Sequence, residues 1–246
     1  MIARPARYIA RAVALLLLPL VLASCALTPG KFTSTLTINA DRSFAFTYVG
    51  EVIALDLGKQ LKPVDDKDGK RPADDSPRAE RTSAQADDPG ADADQERQNA
   101  AIATALSREP GYRKVQYLGA GRFLIDYAVR GRLDHAFVWP YNIDAEVIFP
   151  FLAVELRPGG AVRVKAPAFA AEGSKQVSQM GPMAGADAAS KLDGVFTLDT
   201  DAEIVSQNEE GGVQTAAGRK RMVWRATPAL KSAPSAVLRL NPLPAF

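Results

Sequence analysis

Cysteine and histidine are almost absent from this sequence. Its 246 residues include one of each, Cys25 and His135. A metal centre built from several Cys and His ligands is therefore excluded, and no metal or cofactor is expected. A disulfide within one chain is impossible. Any His-dependent chemistry has a single candidate. Long apolar runs are also missing. The longest is Ala12–Ala23, 12 residues interrupted by Pro19, whereas a bilayer-spanning helix needs ~20. Neither sign of charge dominates, with 30 Lys and Arg against 28 Asp and Glu. No Gly-x-Ser-x-Gly elbow, Ser-x-x-Lys pair or His-Glu-x-x-His helix occurs, so no catalytic residue is assigned. What remains is 47% hydrophobic, enough for one sizeable core.

The first residues have a defined pattern. Arg4, Arg7 and Arg11 precede the apolar run, and no acid occurs before Asp41. The run has the size of a secretory signal and ends in Leu22-Ala23-Ser24-Cys25. That ending resembles the lipobox of bacterial lipoproteins. The resemblance implies removal of residues 1–24, a diacylglycerol on the Cys25 thiol and acylation of the new amine, with palmitate as an expected chain. Small side chains suit a peptidase cleft, and a thiol is a soft nucleophile for lipid transfer. Ala26 is not the Asp that resembles an inner-membrane retention signal in Gram-negative lipoproteins. The expected location is thus the envelope, at the outer membrane facing the periplasm. Loss of residues 1–24 leaves 27 bases against 28 acids, a net charge of −1. That balance removes the electrostatic footprint of a nucleic-acid partner.

The expected organisation is a signal peptide at 1–24, a lipidated tether at 25–30 and one α+β domain at 31–246. Lys31–Gly50 alternates as a hairpin, with Phe32, Leu36 and Ile38 on one strand and Phe44, Phe46 and Tyr48 on the other. Asn39–Arg42 is its turn. Glu51–Leu61 is apolar at Val52, Ile53, Leu55 and Leu57, which suggests a short helix. Residues 62–93 carry mixed charge, four prolines, no aromatic and Val64 as the one branched apolar residue. Such a segment buries too little surface to offset its ordering entropy, so a disordered insertion is expected. A helix is expected over Gln95–Arg108 with Ala101, Ile102, Ala105 and Leu106 as its apolar stripe. Strands follow around Gly119-Ala120-Gly121 and Pro158-Gly159-Gly160, and again at Val195–Leu198, Ala202–Val205 and Met222–Trp224. The tail Leu240–Pro244 cannot extend a central strand. The sum is a mostly antiparallel sheet with one or two helices, packed on a helix or curled into a partial barrel.

Candidate chemistry is sparse. His135 reads as a half-buried sheet residue. Asp199-Thr200-Asp201 could present two carboxylates on one side, but Asp is common in turns and a turn is due there. Glu209-Glu210 beside Gly211-Gly212 reads as an exposed loop. Trp139-Pro140-Tyr141-Asn142 clusters aromatic groups at a bend, either a platform for a sugar or lipid head group or, more simply, a core corner. Residues 168–191 form a long aperiodic loop in which Met180 and Met183 could line a mobile apolar flap. Trp139, Tyr141, Met180 and Met183 are therefore the candidate ligand-binding residues.

Gly194–Leu198, Ala202–Asn208 and Met222–Trp224, with the hairpin Phe32–Tyr48, resemble LppM-like envelope lipoproteins. That resemblance implies an α+β domain associated with envelope glycolipids. This chain differs from that family in its charged insertion and in lacking an apolar C-terminal helix. The functional expectation is a lipid-anchored, non-catalytic envelope protein that binds a lipid or other amphiphile. The alternative is a scaffold lipoprotein that meets another envelope protein through a sheet edge. An envelope-polymer hydrolase is the least favoured reading. Cys25 is testable by growth with a labelled fatty acid: Cys25→Ser is expected to lose all label, and a labelled variant would refute the anchor.

Overall fold

Two-residue alternation puts every second side chain of a strand on one face, and this governs most of the molecule. The computed structural model describes residues 26–55, 89–140, 150–173 and 190–242. The first hairpin is β1 (Ala26–Ile38) and β2 (Ser43–Leu55). It is longer than its alternation suggests. Residues 26–30, expected as a tether, are strand: Ala26 to Pro29 pair with Leu55 to Val52. A register shift between Pro29 and Phe32 accommodates the proline, which has no N–H for the ladder. Glu51–Leu55, expected to begin a helix, is also strand. It has ladders available on both edges, to β1 and to β4, and a short helix would offer fewer backbone partners.

Among the described residues the helix α1 (Pro89–Leu106) packs against β3. Its first turns lie in the segment expected to be disordered; Pro89 fits a first helical turn and Asp92 is acidic there. The expected apolar stripe is not the buried one. Asn99 and Ala103 are buried, while Ala101, Ile102 and Ala105 are exposed. Polar contacts choose that face. Asn99 donates to the Tyr117 hydroxyl at 3.2 Å, and Glu96 accepts the Ala120 N–H at 3.1 Å.

The remaining strands are β3 (Tyr112–Gly119), β4 (Arg122–Arg132), β5 (Phe137–Trp139), β6 (Leu152–Leu156), β7 (Ala161–Lys165), β8 (Asp193–Thr200), β9 (Glu203–Gln207), β10 (Gln214–Ala216), β11 (Arg219–Ala226) and β12 (Ser235–Arg239). They form a seven-stranded sheet, β10-β11-β8-β1-β2-β4-β3, and a five-stranded sheet, β5-β6-β7-β12-β9. The α+β class holds, and the described strands close no barrel. All pairings are antiparallel except β1 with β8, which run parallel over Lys31–Ile38 and Asp193–Thr200. Strand β12 is central in its sheet, between β7 and β9. Its signal was Ala236, Leu238 and Leu240 at period two, next to the proline-rich tail.

The two sheets face each other across an aromatic core. In-register positions Tyr127, Tyr48, Ser34, Phe196 and Trp224 make one inward row across five strands. Val129, Phe46, Leu36, Leu198 and Met222 make the next. The second sheet answers with Trp139, Leu152, Val154, Val162, Val164 and Leu238, all buried. Ser34 is the polar member of the first row; its hydroxyl donates to the Thr47 carbonyl at 3.0 Å, so its burial carries no unpaired group. Phe46→Ala, which empties a fully buried site between the sheets, is expected to cost about 3–5 kcal/mol in urea unfolding. Val49→Ala, on the open face, is expected to stay within about 0.5 kcal/mol.

Candidate functional site

The aromatic layer is the most developed feature of the interior. Phe32 stacks on Tyr48 with centroids 5.2 Å apart and meets Phe169 at 4.4 Å, while Tyr48 and Phe169 lie 6.5 Å from each other. Tyr48 meets Trp139 at 4.5 Å, and Trp139 meets Phe151 edge-on at 5.4 Å. Phe169 also reaches Phe196 at 5.5 Å, and Phe196 stacks on Trp224 at 5.6 Å. Rings from both sheets and from the turn Pro167–Phe169 thus form one continuous apolar volume. Two glycines make its centre possible. A Cβ on Gly194 would lie 2.3 Å from the Phe32 ring, and one on Gly50 would lie 2.5 Å from Phe32 Cβ.

Phe169 belongs to neither sheet, yet it is fully buried between them. The chain on either side of it is pinned to the segment before β12. Ala166 N–H donates to the Pro234 carbonyl at 2.9 Å, and Ala171 N–H to the Leu230 carbonyl at 2.8 Å. Glu172 accepts the Ala233 N–H at 3.2 Å and pairs with Lys165 at 3.3 Å. Sequence reading placed residue 169 in a loop; its neighbours Pro167, Ala168 and Ala170 gave no alternation to mark it as core.

The layer is nearly uncharged. Its ionisable groups are tyrosines, and burial pushes the phenols of Tyr48 and Tyr127 above their ordinary value. Tyr112, at its border, is pushed up to about 12, first by burial and then by Tyr127 and Glu109. Tyr48 is satisfied, donating to the Glu51 carbonyl at 2.8 Å. The indole N–H groups of Trp139 and Trp224 are buried without a hydrogen-bond partner among the described residues. An unpaired buried donor costs about 1–3 kcal/mol, so an acceptor brought there gains from an unmet demand. Chemically the layer offers surface for an apolar chain and two donors for a carbonyl or hydroxyl oxygen.

The other candidate residues are scattered. Trp139 is 2% exposed and is a core residue. Tyr141, Met180 and Met183 lie outside the described residues, as do Cys25 and most of the 62–93 insertion. His135, expected to be half-buried in a sheet, stands at a bend with its side chain 84% exposed, its ring bonded to Asp134. That bond holds the Asp134 carboxyl below its usual range. A charged turn between β4 and β5 has no apolar surface to cover it. Asp199 and Asp201 do not form a pair. Asp199 is in β8, buried beneath Arg219 and Arg221 from β11, with Arg219 also reaching Asn39 at 3.1 Å. Asp201 sits in the following turn and accepts the Ala40 N–H at 2.6 Å. Among the described residues no group of three or more His, Cys, Asp or Glu side chains could hold a metal.

A shallow groove of about 410 Å³ runs over the outer face of β7, β12 and β9. Arg157, Arg163, Gln207 and Asn208 line it. Arg157 turns to Glu155 at 2.6 Å, and Asn208 is engaged with Ala233 and Ser235. Two of its polar side chains thus have partners within the fold.

No known family and no curated protein matches the chain. Among solved structures, the NMR structure of the folded domain of LppM from Mycobacterium tuberculosis is similar, with a TM-score of 0.32 and 16% identity. The likeness covers 88% of this chain and 93% of that one. It is distant and fixes neither a site nor a ligand.

The raised phenols set an alkaline limit. Below pH about 10 the tyrosines are protonated in both folded and unfolded chains, and their contribution is intact. Above it the unfolded chain loses protons that the folded one keeps, so stability falls as pH rises toward about 12. Thermal unfolding is expected to show Tm declining across that interval, with a shallower decline in Tyr48→Phe.

Proposed function

We propose that this chain is a lipid-anchored protein of the bacterial envelope, held at the outer membrane through Cys25, and that its domain binds an amphiphile rather than catalysing a reaction. The observation that carries the binding reading is the aromatic layer with its two unpartnered indole donors. An amphiphile has both parts this layer would accept, an apolar chain for the ring surfaces and an ester or hydroxyl oxygen for Trp139 or Trp224. Phe169 occupies the space between the sheets from a turn of its own, so its ring can give way without breaking a strand pairing. The anchor is supported by Leu22-Ala23-Ser24-Cys25 behind a basic, apolar leader. The exposed placement of His135, bonded to its own neighbour, supports the non-catalytic part.

Native mass spectrometry of the protein taken from its own membranes tests this. A bound lipid-sized mass is expected, weakened in Trp139→Phe, which keeps the ring surface and removes that N–H. Phe169→Ala, which opens space, is expected to keep or increase the bound mass. Protein recovered empty from membranes rich in lipid, in both the parent and Phe169→Ala, would sink the reading.

A further inference from the structure

Residue 26 is already part of the sheet. Ala26 pairs with Leu55 and Leu27 with Ala54, so the chain passes from position 25 into a ladder within one residue, about 3.8 Å. A lipoprotein usually gains freedom from a loose stretch after its acylated cysteine; none is available here. From this pairing, and resting on the lipid anchor proposed above, we infer that the domain stands upright on the bilayer with the starting end of β1 against the lipid head groups. The opposite end is then held away from the membrane by the length of β1. Its 13 residues rise about 40 Å.

The inference assigns each end its surroundings. Beside the start of β1 lies the turn Gly119–Gly121 between β3 and β4: Ala54 N–H donates to the Gly121 carbonyl at 2.8 Å. This places the turn about two strand spacings, or ~10 Å, from β1. The turn is low, with Gly119, Ala120 and Gly121 all in the left-handed region. Leu118 and Arg122 flank it, both exposed, with the Glu96 carboxylate accepting the Ala120 N–H; Leu118 is an apolar side chain for the head-group layer and Arg122 a guanidinium for lipid phosphate. The partner surface is thus a phospholipid bilayer. At the far end lie the Asn39–Arg42 turn, His135, Asp201 and Arg219. They are linked by Leu133 N–H to the Arg42 carbonyl at 2.8 Å and by Arg219 to Asn39. That charged end faces the aqueous space and is the end a soluble partner would meet.

The test uses the full acylated protein in vesicles of phosphatidylethanolamine and phosphatidylglycerol. Acylation blocks the Cys25 thiol, so a cysteine introduced by Ala120→Cys or His135→Cys is the one free thiol for a fluorophore. Nitroxide on the lipid head groups, which quenches at contact range, is expected to quench the label at 120 and to leave that at 135 bright. A Gly-Ser stretch inserted between Cys25 and Ala26 is expected to abolish the difference. Equal quenching at both positions in protein that still floats with vesicles would overturn the orientation and leave the anchor standing. A contrast that survives the inserted stretch would also overturn it, since the missing tether would then not be its cause. Loss of flotation together with an unacylated mass at residue 25 would overturn anchor and orientation together.

Discussion

Phe32 joins the seven-stranded sheet to the aromatic packing between the sheets, through Tyr48 and Phe169. Its ring lies over Gly194 of β8, where any Cβ would collide with it, and its Cα and Cβ lie against Gly50 of β2, where a Cβ would collide with them. Tyr48 stacks on the ring, and Phe169 meets both Phe32 and Tyr48, so the three rings form one cluster. Trp139 and Phe151 of the second sheet then pack on Tyr48. Each such aromatic pair contributes about 0.5–1.5 kcal/mol beyond its buried area. The larger consequence is geometric, since a ring that stood higher would push Phe169 out from between the sheets. The same contact that aligns the core therefore sets the shape of the proposed binding layer.

Charge is handled at the end of the strands, away from the rings. Arg42, buried and in the left-handed region, donates to the Asn241 carbonyl at 2.6 Å and to the Leu133 carbonyl at 3.0 Å. A guanidinium cannot shed its proton to escape burial, so it is kept by acceptors, and here they are backbone oxygens from two separate parts of the chain brought to one corner. Asp199 with Arg219 and Arg221 does the same for β8 and β11. Both arrangements close the far end of the hairpin. The other end, where residue 26 enters the sheet, carries Leu118, Arg122 and a turn of small residues. One molecule thus has an end with Leu118, Arg122 and Glu96 next to the start of β1 and an ion-paired end opposite.

Much of this was legible residue by residue. The faces of β1, β2, β4, β8 and β11 follow from alternation, and the turns at 119–121 and 158–160 from their glycines. What misled was apolar content without context. Val52, Ile53 and Leu55 have helix-like spacing but lie where two ladders are on offer. In α1 the branched residue Ile102 stays outside while Asn99 goes inside, because Asn99 has the Tyr117 hydroxyl to meet. Phe169 was invisible as a core residue because no pattern surrounds it. Tyr141, Met180 and Met183 fall outside the described residues, and the aromatic layer is built from rings that the sequence distributes among six strands, the residue before β6 and a turn.

By itself the sequence determined the basic and apolar pattern that runs up to Cys25, the period of the strands and hence which side chains point inward. These are local properties, settled by bond geometry and by the chemistry of neighbouring residues. Tertiary structure alone decided the neighbours: that β1 runs parallel to β8, that β12 is central, and that residues 26–30 are sheet and not tether. Period two states which face a residue takes and is silent on which strand lies beside it. A stretch such as Leu27-Thr28-Pro29-Gly30 becomes strand only because Val52–Leu55 is held alongside by β4, and no property of those four residues contains that fact.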